Sequence, residues 1–344
     1  MAIRKKYLLP AILFALLVFA GAANPGQVLT GSSSGNINSG DTAWMFVATA
    51  LVLIMTPGLG FFYGGMANRK NIISTVFQSV IMLGLMSIIW VTFGFSLCFG
   101  DDIGGIIGNP FTFMMFKGVD LKPNPAFSST IPFIIYAMFQ LKFAIITPAL
   151  ITGSFAQRVK FSGYLLFTTL FFVFIYAPVC HMTWHPDGVL FKYGVLDFAG
   201  GTVVHMTAGF AALAGALFLG PRTESERTHE YANVPFVIIG TGLLWFGWFG
   251  FNAGSALGVN AKAANAFATT NTAAASAMVA WVLLDAMRGH KVSSIGACVG
   301  AVVGLVAITP ACGFVNVGES MAIGAIAAVI SNFAVHFKNK STLD

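Results

Sequence analysis

"VLDFAGGTVVHMTAG", residues 195–209, places an aspartate and a histidine at the head of a stretch that is otherwise apolar. No charged residue follows His205 until Arg222. A helix rises about 1.5 Å per residue, so a helix starting near Asp197 carries His205 about 12 Å along its axis. That depth is close to the middle of a hydrocarbon core about 30 Å thick. An ionisable side chain there is costly and usually faces a cavity or pathway. Two readings of His205 stand: it lines a pore, or it packs as a neutral imidazole hydrogen-bonded between helices. Asp197 has a simpler account. A carboxylate at a helix start caps free backbone N–H groups and meets the positive end of the dipole. Its alternative is a direct part in attracting a cation. Gly200, Gly201, Ala208 and Gly209 keep this helix thin, so neighbours can approach closely.

Composition agrees with a membrane setting. The 344 residues are 57% hydrophobic and only 9% charged, against about a quarter charged in soluble domains. Nine apolar stretches are long enough to span, roughly 42–66, 72–99, 129–155, 161–184, 198–220, 234–257, 264–286, 293–313 and 318–337. They are continuous rather than alternating, which excludes an outer-membrane barrel and predicts an all-α polytopic membrane protein. The net charge of +6 is scattered, with no basic run or stripe, so nucleic-acid binding is not expected. Cys98, Cys180, Cys298 and Cys312 lie in or beside apolar segments without a C-x-x-C pair. They read as small hydrophobes, and no metal, cofactor or disulfide framework is expected.

Residues 1–23 read as a signal peptide: Arg4, Lys5 and Lys6, a short apolar run, then Ala20-Gly21-Ala22. The alternative is an uncleaved first helix. Residues 24–41 then form an extracytoplasmic N-terminal segment. With that end outside, the inner segments carry Arg69, Lys70, Arg158, Lys160, Arg222, Arg227, Arg288, Lys291, Lys338 and Lys340. The outer ones carry only Lys117, Lys122, Lys192 and Lys262, so the positive-inside rule fixes this orientation in the cytoplasmic membrane. Lys142 is the one basic residue inside a span and is expected to snorkel or face a subunit interface.

A faint repeat relates "AIITPALITG" (144–153) in the third span to "VAITPACGFV" (306–315) in the eighth. Five spans separate them. An odd offset turns the second copy upside down, the inverted-repeat plan of many transporters. The expected division is a first five-helix repeat over 42–220, a cytoplasmic connector over 221–233 and an incomplete second repeat over 234–344. An enzyme is not expected. No G-x-S-x-G, H-E-x-x-H or paired-aspartate motif appears in the spans, and residues eight apart on one helix are too distant to form an acid–base pair.

Aromatic residues concentrate in "WFGWFGFNAGSA" (245–256) and around Phe139 and Phe143. Most aromatics at interfacial depth only anchor helices, but a cluster of ring faces also holds a cation, at about 0.5–2 kcal/mol per ring. With "GFFYGG" (60–65), "QLKFAIITPALITGSFAQR" (140–158), "LDFAGGTVVH" (196–205), "GWFGFNAGSA" (247–256) and "TPACGFV" (309–315), the chain resembles the ammonium transporter family (Amt/Mep/Rh), in its bacterial Amt branch, over about residues 41–344. The resemblance implies transport of ammonium or ammonia, and of methylammonium. It implies an outer vestibule of Trp184, Phe139 and Ser255 and a pore gate of Phe143 and Phe251. His205 becomes the first pore histidine and Asp197 the helix-start aspartate. It also implies a homotrimer in membrane lipid and a PII-type cytoplasmic partner. The family carries a second pore histidine on its tenth span. The step from Pro148 to His205, repeated from Pro310, falls beyond Asp344. A continuing reading frame is therefore expected, with efficient transport expected of the longer chain. An ammonium sensor or a non-conducting subunit is the alternative.

Overall fold

The computed structural model describes residues 36–222, 231–339 and 341. The expected signal peptide, residues 24–35 of the N-terminal segment and residues 223–230 of the connector lie outside the described residues. Among the described residues, eight helices are long and apolar enough to cross a membrane. They are span 1 (Ser39–Met66), span 2 (Arg69–Phe99), span 3 (Phe133–Phe155), span 4 (Phe161–Lys192), span 5 (Gly201–Leu219), span 6 (Val234–Gly254), span 7 (Ala261–Met287) and span 9 (Val317–Lys338). Span 8 is the shorter apolar helix Ser294–Ile308. Each expected stretch thus holds a helix.

Inside hydrocarbon the backbone must satisfy itself, and helix ends are where that fails first. Four spans solve this with short polar caps. Asn38 accepts from Asp41 N (3.0 Å), Asn233 from Phe236 N (3.1 Å), Asn260 from Ala263 N (3.0 Å) and Ser293 from Gly296 N (2.9 Å).

Spans 1 and 6 share the most extensive helix–helix interface in the chain. Glycine makes it possible. A Cβ on Gly250 would fall 2.7 Å from the Ala48 carbonyl, so the backbones meet where side chains would otherwise stand. Span 3 packs against span 1 as span 8 packs against span 6. The two copies of the I-T-P-A motif also share local geometry. Thr147 donates to Phe143 O (2.6 Å) and Thr309 to Leu305 O (2.7 Å), each just before a proline. These correspondences fit the inverted plan.

Span 3 is the most enclosed helix. Spans 2 and 4 reach it through π-helical turns, Trp90–Gly94 and Phe172–Tyr176, which bring Trp90 and Phe172 edge to face at 6.2 Å. The Trp90 indole donates to Ala137 O of span 3 (3.0 Å). Beyond span 2 a small hairpin pairs Asp102–Ile103 with Ile107–Gly108. Asp102 anchors it to span 4. Buried His181 contacts Cys98 O (2.9 Å) and the Asp102 carboxylate (3.0 Å), and that bond holds the Asp102 carboxyl below its usual range.

Candidate functional site

The helix of span 5 begins at Gly201, not near Asp197. Residues 197–200 form a turn instead, which Gly200 closes at φ 109°, a left-handed value that favours glycine. His205 therefore stands about 6 Å from the helix start rather than about 12 Å. The capping reading of Asp197 describes what is seen. Its Oδ1 accepts from Gly200 N (2.8 Å) and Gly201 N (2.6 Å), and its Oδ2 from Thr202 N (2.8 Å) and Val203 N (3.1 Å). One carboxylate takes up four backbone donors. Burial pushes its carboxyl above the ordinary range, and the four N–H bonds oppose that shift.

The first turns of span 5, Gly201–Met206, are π-helical. Such turns are rare and recur at functional sites. The N–H groups of Val204 and His205 both reach Gly200 O (2.8 and 3.1 Å). Gly201 lies against Pro310, whose ring would meet a Cβ there at 2.5 Å, so span 5 is held close to the end of span 8.

That contact brings His205 to Thr309. The imidazole Nε2 is 3.3 Å from Thr309 Oγ1, which also accepts from Trp248 Nε1 (2.9 Å). The imidazole lies nearly parallel to Trp248 (5.3 Å, 22°) and Phe251 (5.8 Å, 27°). It is hydrogen-bonded between helices, as one reading expected, yet only partly buried.

The other expected residues converge on the far side of Phe251. Phe143 and Phe251 approach to 4.3 Å at 33°. Phe139 lies 4.9 Å from Phe143, and Trp184 meets Phe143 edge-on at 5.7 Å and 90°. Above them is a cavity of about 200 Å³ lined by Phe139, Phe143, Trp184 and Ser255, together with Phe127, Tyr136, Gln140 and Phe198. The seven residues singled out from sequence thus form one continuous set: cavity, ring pair, imidazole, with Asp197 behind Trp184. The indole N–H of Trp184 donates to Asp197 O (3.0 Å), and the Ser255 hydroxyl donates to Phe251 O (2.8 Å). With those donors spent, Trp184 and Ser255 offer the cavity a ring and lone pairs, a lining suited to a small cation rich in N–H.

Sequence reasoning gave no role to Trp248, Thr309 or Gln140. The signals were present: Trp248 stands inside the quoted aromatic motif, and Thr309 opens the repeated T-P-A. Lys142 is 8% exposed and does not line the cavity. A larger groove, about 640 Å³, runs between spans 4 and 5 past Phe167, Phe174 and Phe210, and no charged side chain lines it.

Comparison with known proteins extends this geometry. Residues 43–344 match the Ammonium Transporter Family. An ammonium transporter of Aquifex aeolicus is 48% identical over 306 residues, covering 88% of this chain and 71% of that protein. The crystal structure of Candida albicans Mep2 superposes with a TM-score of 0.85 at 34% identity, covering 93% of this chain and 71% of the other. A solved Sensor Amt Protein superposes with a TM-score of 0.81 at 30% identity, covering 89% and 76%. A family match over most of the sequence, with relatives this similar, makes the chain a multi-pass membrane protein of the ammonium transporter family.

Proposed function

We propose that the protein moves ammonium across the cytoplasmic membrane, recruiting the cation at the outer cavity and passing it through the pore as ammonia. The observation that carries this reading is the stacking order: a cavity of π faces and lone pairs, then the Phe143–Phe251 pair, then His205. Moving a bare ion into low dielectric costs of order 20 kcal/mol by Born reckoning. A few aromatic faces at about 0.5–2 kcal/mol each do not offset that. Leaving the proton behind does, because neutral ammonia crosses an apolar constriction cheaply. A histidine has one donor and one acceptor nitrogen and can relay a proton. Potassium has no proton to lose and is excluded by the same barrier.

In this reading Trp184, Phe139 and Ser255 recruit the cation and Phe143 with Phe251 gates the pore. His205 takes part in proton relay, and Asp197 holds the entry turn. The positive-inside distribution supports an outside N-terminus. Uptake of labelled methylammonium by cells lacking other ammonium carriers, expressing the whole reading frame, tests the function. Uptake well above an empty vector is expected; equal uptake with the protein present in the membrane overturns it. The likeness to a Sensor Amt Protein supports a second reading, an ammonium sensor. Binding without uptake in the same cells would favour it. Family resemblance also supports a homotrimer and docking of a PII-type protein at the inner loops. Native mass measurement in mild detergent is expected to give three copies, and a stable monomer overturns the trimer.

A further inference from the structure

A threonine hydroxyl has one proton to give and two lone pairs to receive. At Thr309, a fully buried residue, three neighbours share them. Leu305 O lies 2.7 Å away and can only accept, so it takes the hydroxyl proton. Trp248 Nε1 lies 2.9 Å away and can only donate, so it fills one lone pair. His205 Nε2, at 3.3 Å, meets the lone pair that remains. A bare Nε2 there would set lone pair against lone pair. Turning the hydroxyl toward it would set Leu305 O against an oxygen that no longer donates. One arrangement satisfies every group: Nε2 carries the ring proton and donates to Thr309 Oγ1. In a neutral imidazole the lone pair is then on Nδ1. The ring is only partly buried, and Nδ1 is not one of the enclosed unpaired polar atoms among the described residues.

We propose that Thr309 is a positioning residue for proton transfer: it holds His205 as the Nε2–H tautomer and so makes Nδ1 the atom that accepts the proton. The inference rests on the ammonium reading above. In that step an N–H bond of ammonium breaks as Nδ1–H forms. The electron pair stays on the nitrogen of ammonia, and His205 is an imidazolium until it gives the proton back. Thr309 passes no proton, because its own is committed to Leu305 O. It does favour the charged ring, since an imidazolium N–H makes a stronger hydrogen bond than a neutral one.

The test measures tautomer and rate separately. Protein from the whole reading frame, with isotopically labelled histidine, is placed in lipid and examined by solid-state NMR at mildly alkaline pH. Ring nitrogen and carbon shifts report which nitrogen carries the proton, and the signal missing from His205→Gln identifies His205. The parent is expected as Nε2–H. Thr309→Val, close in shape but without the hydroxyl, is expected to shift the tautomer ratio toward Nδ1–H by about fivefold. Its methylammonium uptake is expected to fall about tenfold, equivalent to about 1.4 kcal/mol. Thr309→Ser keeps the hydroxyl and is expected to keep the parent's tautomer and most of its uptake. A parent found as Nδ1–H overturns the proposal without any variant. Thr309→Val overturns it by keeping the parent's tautomer, whatever its uptake, or by changing tautomer without losing uptake. So does a Thr309→Ser that behaves like Val. A parent with the expected tautomer but no uptake above an empty vector overturns the transport reading itself, a result distinct from these.

Discussion

Asp197→Ala is expected to lower the stability of the protein by of the order of 3 kcal/mol, well beyond the roughly 1 kcal/mol of an ordinary helix cap. An ordinary cap satisfies one orphan N–H. Asp197 satisfies four, from Gly200 to Val203. Alanine leaves all four donors without a protein partner in a turn that is largely buried. It also removes the negative charge that faces the positive end of span 5. Asparagine at this position would keep one carbonyl oxygen but set an NH₂ against the remaining donors, so Asp197→Asn is expected to fall between the parent and alanine. Thermal unfolding in detergent measures both. The same pair separates capping from cation attraction. With both oxygens committed to backbone, the carboxylate has little left to offer a cation. Ammonium binding in Asp197→Asn is therefore expected to change less than stability does. A variant as stable as the parent that no longer binds ammonium would reverse the assignment.

The spans were legible because hydrocarbon imposes a blunt rule: every buried backbone group must pair within its own helix, so long apolar runs are helices. The convergence of Phe139, Phe143, Trp184, Ser255 and Phe251 was legible only through family motifs, since spans 3, 4 and 6 are far apart in sequence and periodicity says nothing about which faces meet. Two features were not legible. The π turn at Gly201–Met206 depends on where the chain stops turning and starts coiling, and that follows from Gly200 at positive φ and Gly201 against Pro310, a contact between spans 5 and 8. The Thr309 bridge between His205 and Trp248 needs the same contact. In each case the missing information is tertiary.

His205→Gln is expected to reduce methylammonium uptake by at least about a hundredfold, the lower end of what a positioned proton-transfer group contributes. Glutamine is chosen because it fills much of the same space and offers a donor to Thr309 Oγ1, which His205 Nε2 now meets at 3.3 Å. What it lacks is a proton exchangeable near neutral pH. The cavity above Phe143 and Phe251 is untouched, so ammonium-dependent tryptophan fluorescence should match the parent and show that loss of rate is not loss of fold. The pH dependence carries the mechanism further. Without a relay, only free amine that loses its proton outside can cross the apolar constriction. Residual uptake should then track the free-base fraction, rising about tenfold per pH unit below an amine pKa of about 10. The parent protein, which strips the proton at the pore mouth and relays it, should show a much shallower rise. If His205→Gln keeps uptake within a few-fold of the parent, with the same pH slope, the imidazole is a packing group between spans 5, 6 and 8, and proton transfer has to be sought elsewhere along the pore.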